Sequence, residues 1–142
     1  MVTQIKNERN SKSKHTYRYV VSLGFFCSVA MELERIGLRS ASFPFDWLIS
    51  DFEGVIKLIE NHFDDFLAYE NMAQHKLYPN YYKDTKYGMQ FYHDFSAFRS
   101  LESQLPRVKN KYDRRIERFY NSIIYPTLFL RYISSESEKI WI

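Results

Sequence analysis

The sequence predicts a single α/β domain of three layers, with a mixed, partly parallel sheet. Three observations carry that reading. A short apolar strand passes through a glycine into an amphipathic helix at 19–37. Two further helical patterns follow near 50–63 and 100–124. A continuous apolar run at 127–133 has the look of a strand buried on both faces, as in a parallel sheet.

The first element is Tyr17–Gly37. Val20, Val21 and Leu23 sit in an aromatic and β-branched run that favours a strand. Gly24 permits a sharp backbone turn. Val29, Ala30, Leu33 and Ile36 then recur at helical spacing, and Gly37 is a natural stop. Cys27, the one cysteine of the chain, therefore falls in or just before the first helical turn. Unpaired N–H groups and the positive end of the helix dipole gather at such a place, and they favour a reactive thiolate.

The next block, Phe43-Pro44-Phe45-Asp46-Trp47, is aromatic around one carboxylate. Pro44 excludes helix and biases Phe43 to an extended shape. An Asp in such company bonds backbone N–H groups or pairs with a cation, because a bare buried charge is too costly. Asp46 either pins a loop or orients a histidine or substrate. Ser50-Asp51-Phe52-Glu53 reads as a capping box opening a helix to about Phe63, with Phe52, Val55, Ile56, Ile59 and Phe63 as its apolar stripe. Asp64-Asp65 resembles a metal pair but lacks a third ligand nearby, so no metal is expected.

The tyrosine-rich stretch 76–92 reads as a hairpin turning at Lys83-Asp84-Thr85-Lys86. Strand alternation would place Met89, Phe91 and His93 on one face and Gln90, Tyr92 and Asp94 on the other. His93 thus points to the core side, as a hydrogen-bonded histidine or as a general base. In the helix of 100–124, Pro106 fits the first turn of the main part. Val108, Tyr112, Ile116, Phe119 and Ile123 form the buried stripe, and Arg114-Arg115 beside Asp113 and Glu117 read as a salt-bridged surface.

Composition bounds the function. The chain has 142 residues, 18% of them aromatic, with 12 Tyr and 12 Phe, which suits one globular core. Its net charge of +3 is carried by Lys6, Arg9, Lys12 and Lys14 against Glu8 in a polar tail of residues 1–15, leaving 16–142 neutral. No basic face for nucleic acid follows. A single cysteine excludes an intramolecular disulfide and suits a reducing compartment. No apolar run is long enough for a membrane span and no signal-peptide core opens the chain, so a cytoplasmic protein is expected. The terminal Ile140-Trp141-Ile142 would be odd if exposed; such an end either docks or continues in a longer protein.

These residues offer the parts of a thiol enzyme: Cys27 as nucleophile, His93 as base, Asp46 or Asp94 as supporting carboxylate, and the N–H of Cys27 or Ser28 for an oxyanion. A buried inert thiol is the alternative. Val21-Ser22-Leu23-Gly24-Phe25-Phe26-Cys27-Ser28-Val29-Ala30, then Leu38-Arg39, Pro44-Phe45-Asp46-Trp47, Glu53-Gly54-Val55 and His93-Asp94-Phe95 resemble, in order, a bacterial family of uncharacterised proteins described as papain-like cysteine peptidases, domain of unknown function 1796. Leu128-Phe129-Leu130-Arg131 resembles that family's late strand. The resemblance implies a cysteine nucleophile at Cys27 and a base at His93, with Asp94 or Asp46 in support. No cofactor is expected. Phe25-Phe26 departs from the smaller or polar residues frequent before the cysteine in relatives. A papain-like domain would set the cysteine helix against a mostly antiparallel sheet, whereas the run 127–133 favours a parallel one.

Three functions fit: a cysteine hydrolase on a peptide or acyl substrate, a thiol-dependent acyltransferase or glycan-modifying enzyme, and a non-catalytic binding module with Cys27 buried.

Overall fold

A computed structural model describes residues 15–133 together with the backbone of residues 3–4. Strands β1 (Thr3–Gln4) and β2 (Thr16–Tyr17) pair antiparallel. The remainder of the expected tail and the Ile140-Trp141-Ile142 end lie outside the described residues.

β3 (Tyr19–Ser22) leads through Gly24 into helix α1 (Ser28–Arg35), as the strand–glycine–helix pattern predicts. After β4 (Leu48–Ile49) comes helix α2 (Phe52–Glu60), then β5 (Met72–Gln74), β6 (Tyr82–Asp84) and β7 (Met89–Phe91). The long helix α3 (Leu101–Ile123) and β8 (Thr127–Leu130) complete the described chain. Among the described residues the fold is therefore mixed α/β with three α-helices.

Both kinds of strand pairing occur, but in separate sheets. β3 and β8 form a parallel pair, with Tyr19 opposite Thr127 and Ser22 opposite Leu130. β4, β7, β6 and β5 form an antiparallel sheet in that spatial order. The apolar run predicts the parallel partner correctly and its burial incorrectly. Phe129 is 42% exposed, because a two-stranded sheet leaves β8 an open edge and an open face.

The cap of α2 lies one residue later than the capping box predicts. Asp51 is the N-cap and accepts the Gly54 N–H at 2.6 Å, while Ser50 is buried and its hydroxyl takes a bond from Arg131. The helix also ends at Glu60, three residues short of Phe63. The chain then turns through His62, Phe63, Asp65 and Leu67 with positive φ, which drives Phe63, Phe66 and Leu67 into the core. The β6–β7 turn is held from inside. The buried Asp84 carboxylate accepts N–H groups of Leu67, Lys86 and Tyr87 at 2.9, 3.0 and 3.3 Å. Burial outweighs those bonds and raises its pKa from the ordinary Asp value.

Two apolar clusters fill the interior. The larger joins Phe45, Leu48, Val55, Leu58, Phe91 and Tyr112 across α2, α3 and the antiparallel sheet. The smaller joins Val21, Phe43 and Phe119 between β3 and α3. Pro106 lies in the sixth position of α3, beyond its first turn, and Ser100 caps that helix by accepting the Ser103 N–H.

Candidate functional site

The Cys27 region is shaped by backbone. Gly24 has φ +79°, and a Cβ there would meet the Phe45 carbonyl at 2.9 Å. Phe25 follows with φ +98°, a conformation that a side chain resists. Two successive positive-φ residues reverse the chain between β3 and α1 and deliver Cys27 to the N-cap of α1. The Cys27 carbonyl accepts the first intrahelical bond, from Met31 N–H at 3.0 Å. Its side chain caps nothing, and the free thiol is half-buried.

The turn is clamped from the far end of the chain. Arg131 donates to the Leu23 carbonyl at 3.0 Å and to the Ser50 hydroxyl and carbonyl at 3.2 and 2.9 Å. Tyr132 N–H reaches the Gly24 carbonyl at 3.2 Å. The rings of Phe25, Phe26 and Tyr132 close a trio with centroids 5.4 to 5.9 Å apart. The Phe25-Phe26 departure thus supplies two rings that pack with Tyr132 beside the turn.

His93 lies elsewhere on its element than alternation predicts. β7 ends at Phe91, the chain bends, and the two-residue period is lost. Met89 and Phe91 are buried as expected, but His93 is exposed and Asp94 is buried. The His93 ring meets the Trp47 ring edge to face, with centroids 6.3 Å apart.

Both candidate carboxylates are already engaged. Asp46 is 2% exposed and accepts the Phe43 N–H at 3.0 Å and two bonds from the Arg39 guanidinium at 3.1 and 3.3 Å. Burial is the largest influence on it and raises its pKa above the ordinary value, against the Phe43 and Arg39 bonds. Arg39 also donates to Ser42 Oγ at 2.8 Å and lies 5.3 Å from the Trp47 ring centroid. Asp94 receives Lys111 on one oxygen and the Tyr112 hydroxyl on the other, the latter at 2.9 Å. Burial first, and the Asp94 charge second, push the Tyr112 phenol well above its ordinary pKa, so it stays a donor.

The structure therefore brings Asp46, Trp47 and His93 to one neighbourhood and Asp94 to α3, where Lys111 and Tyr112 hold it. No hydrogen bond joins Cys27, His93, Asp46 and Asp94 to one another among the described residues. Sequence reasoning missed Arg39 and Lys111 as the partners of the two carboxylates. The signal for Arg39 was its place in the Leu38-Arg39 motif beside the aromatic block.

A second feature lies on the antiparallel sheet. A cavity of about 500 Å³ is lined by residues that include His75, Tyr81, Tyr82, Gln90 and Tyr92. Tyr81 and Tyr92 stack at 4.1 Å with an interplanar angle of 11°. Among the described residues no group of three metal-ligating side chains stands together, and no helix is long and apolar enough to cross a membrane.

Comparison with known proteins agrees with the ordered motifs. The chain is 35% identical over 120 residues to "Uncharacterized protein R408" of Acanthamoeba polyphaga mimivirus, a match that covers 70% of this chain and 54% of the viral protein. The chain thus spans about half the length of that curated relative. No solved structure matches it. The family model described as "Putative papain-like cysteine peptidase (DUF1796)" matches residues 18–140, from the start of β3 past the end of β8. With the match running through the Cys27 turn, the Asp46 block and the His93-Asp94 pair, the chain belongs to that family.

Proposed function

We propose that the protein is a cysteine-nucleophile hydrolase, with Cys27 as nucleophile and His93 as base. The observation that carries this reading is the state of the thiol. Cys27 stands at the start of α1 behind two positive-φ residues, half-buried, with a sulfur that serves no capping or bridging purpose. Family membership supports the same role.

In this reaction His93 takes the thiol proton and the Cys27 sulfur attacks a substrate carbonyl carbon. The oxyanion that forms accepts N–H groups of the first turn of α1, such as Ser28, which precede the first intrahelical bond. His93 gives a proton to the leaving group as the C–N or C–O bond breaks, leaving a thioester. Water, deprotonated by His93, then releases the acid and restores the thiol. Trp47 packs on His93, and Asp46 with Arg39 fixes the loop that carries Trp47, so Asp46 acts at one remove as a positioning residue. An exposed His93 is compatible with this role, since catalytic contacts in a free enzyme often tighten only on substrate.

The second reading, an acyl or glycan-modifying transferase that uses the same residues, draws on the tyrosine-lined cavity. The stacked Tyr81–Tyr92 pair ends one residue before His93, and aromatic faces of this kind pack on sugar rings.

The test is alkylation of Cys27 by iodoacetamide in the native protein, in wild type and in His93→Ala. The expected result is rapid modification at neutral pH that falls at least about tenfold in the variant, as expected for loss of a paired base. A thiol that reacts only after unfolding, or at the same rate in both proteins, defeats the catalytic reading.

A further inference from the structure

Lys111, Arg114, Arg115 and Arg118 fall at helical spacing along one face of α3. With Ala41 and Ser42 of the preceding loop they line a cavity of about 350 Å³, and no carboxylate is among its walls. The expected salt bridges to Asp113 and Glu117 do not form: Arg114, Arg115 and Arg118 make no ion pair among the described residues. The acidic groups within reach are spoken for. Asp94 is held by Lys111 and the Tyr112 hydroxyl, and Asp46 by Arg39 and the Phe43 N–H.

Two further details make this more than a solvated basic stripe. Arg118 donates to the Ser42 carbonyl, which fastens the loop wall to the helix. Arg115 lies half-buried over the Tyr112 ring at 5.1 Å, and its Nη1 is inaccessible to solvent with no hydrogen-bond partner. A buried guanidinium nitrogen without an acceptor is costly, and the cost falls if the side chain turns outward to an oxyanion in the cavity.

We infer that this cavity binds a phosphate group of a small phosphorylated ligand. Three guanidinium forks suit a compact, doubly charged oxyanion with several acceptor oxygens, and they suit it better than a singly charged carboxylate; the Lys111 ammonium is already paired with Asp94. The inference rests on α3 and the 41–42 loop and is independent of the role given to Cys27.

Isothermal titration calorimetry with inorganic pyrophosphate tests it, with succinate at equal ionic strength as the carboxylate comparison. Pyrophosphate should bind saturably at one site, more weakly as salt rises, and at least about tenfold more tightly than succinate. Arg115→Gln and, separately, Arg114→Gln should each weaken binding severalfold. Arg114 is exposed, so its variant keeps the test open if Arg115→Gln fails to fold. No saturable binding, equal binding of succinate, or unchanged binding in Arg114→Gln with a folded Arg115→Gln would overturn the proposal.

Discussion

The two halves of the candidate site are built in opposite ways. Around Cys27 the chain is held by backbone conformation and backbone hydrogen bonds: Gly24 and Phe25 at positive φ, the Gly24 and Leu23 carbonyls bonded from Tyr132 and Arg131, and rings packed beside the turn. Around Asp46 and Asp94 it is held by side-chain charge, in buried pairs with Arg39 and with Lys111 and Tyr112. The difference teaches where each half is vulnerable. A backbone-built turn is sensitive to added atoms, whereas a charge-built loop is sensitive to removed ones.

The largest expected effect follows from breaking the charged half. Arg39→Ala leaves Asp46 buried without its cation, and unpaired buried charges of this kind cost about 3–5 kcal/mol. Urea unfolding should report that loss. A cost below about 1 kcal/mol would show that Asp46 is carried by the Phe43 N–H alone.

The backbone half is broken by a single methyl group. Gly24→Ala places a Cβ 2.9 Å from the Phe45 carbonyl at a φ of +79° and should cost about 3 kcal/mol. Gly37, past the other end of α1, has φ +75° but open space around its Cβ position. Gly37→Ala should therefore cost only the left-handed penalty of about 1–2 kcal/mol. Equal costs in the two variants would mean that Gly24 serves conformation alone and not close packing.

The smallest effect sharpens the electrostatics. Burial raises the Asp46 pKa in the folded state, so between the unfolded and folded values the folded protein binds more protons than the unfolded chain. The Asp46 contribution to stability is then fully present below the ordinary carboxylate pKa of about 4 and is lost as pH rises through the higher folded value. The stability of wild type relative to Asp46→Asn should accordingly increase from pH 7 to pH 4, as measured by denaturant midpoints. A decrease would mean that the Arg39 pair outweighs desolvation.

Much of this architecture was legible in the chain. Leu33, Val55, Val108, Tyr112 and Phe119 announce their helices by spacing, and Val20-Val21 and the 127–133 run announce the parallel pair. The position of Cys27 at a helix start was legible for the same reason, because Gly24 and the periodicity after it leave one place for the junction. What was not legible depended on where regularity stops. Alternation does not continue for the two residues past the end of β7, so the surroundings of His93 and Asp94 are exchanged. Arg114 and Arg115 were paired with their sequence neighbours, whereas the α-helical face turns them toward Ala41 and Ser42. Burial of Phe129 was overestimated because apolar composition says nothing of how many strands flank a strand.

The Arg131 clamp has a consequence in time. Its hydrogen bonds reach back 108 residues to Leu23 and 81 residues to Ser50. Contacts of such long sequence separation form late, since the intervening chain must first be ordered. On a ribosome the thiol-bearing turn would leave the tunnel well before its clamp is synthesised, and it would wait, unshaped, for the segment that completes it.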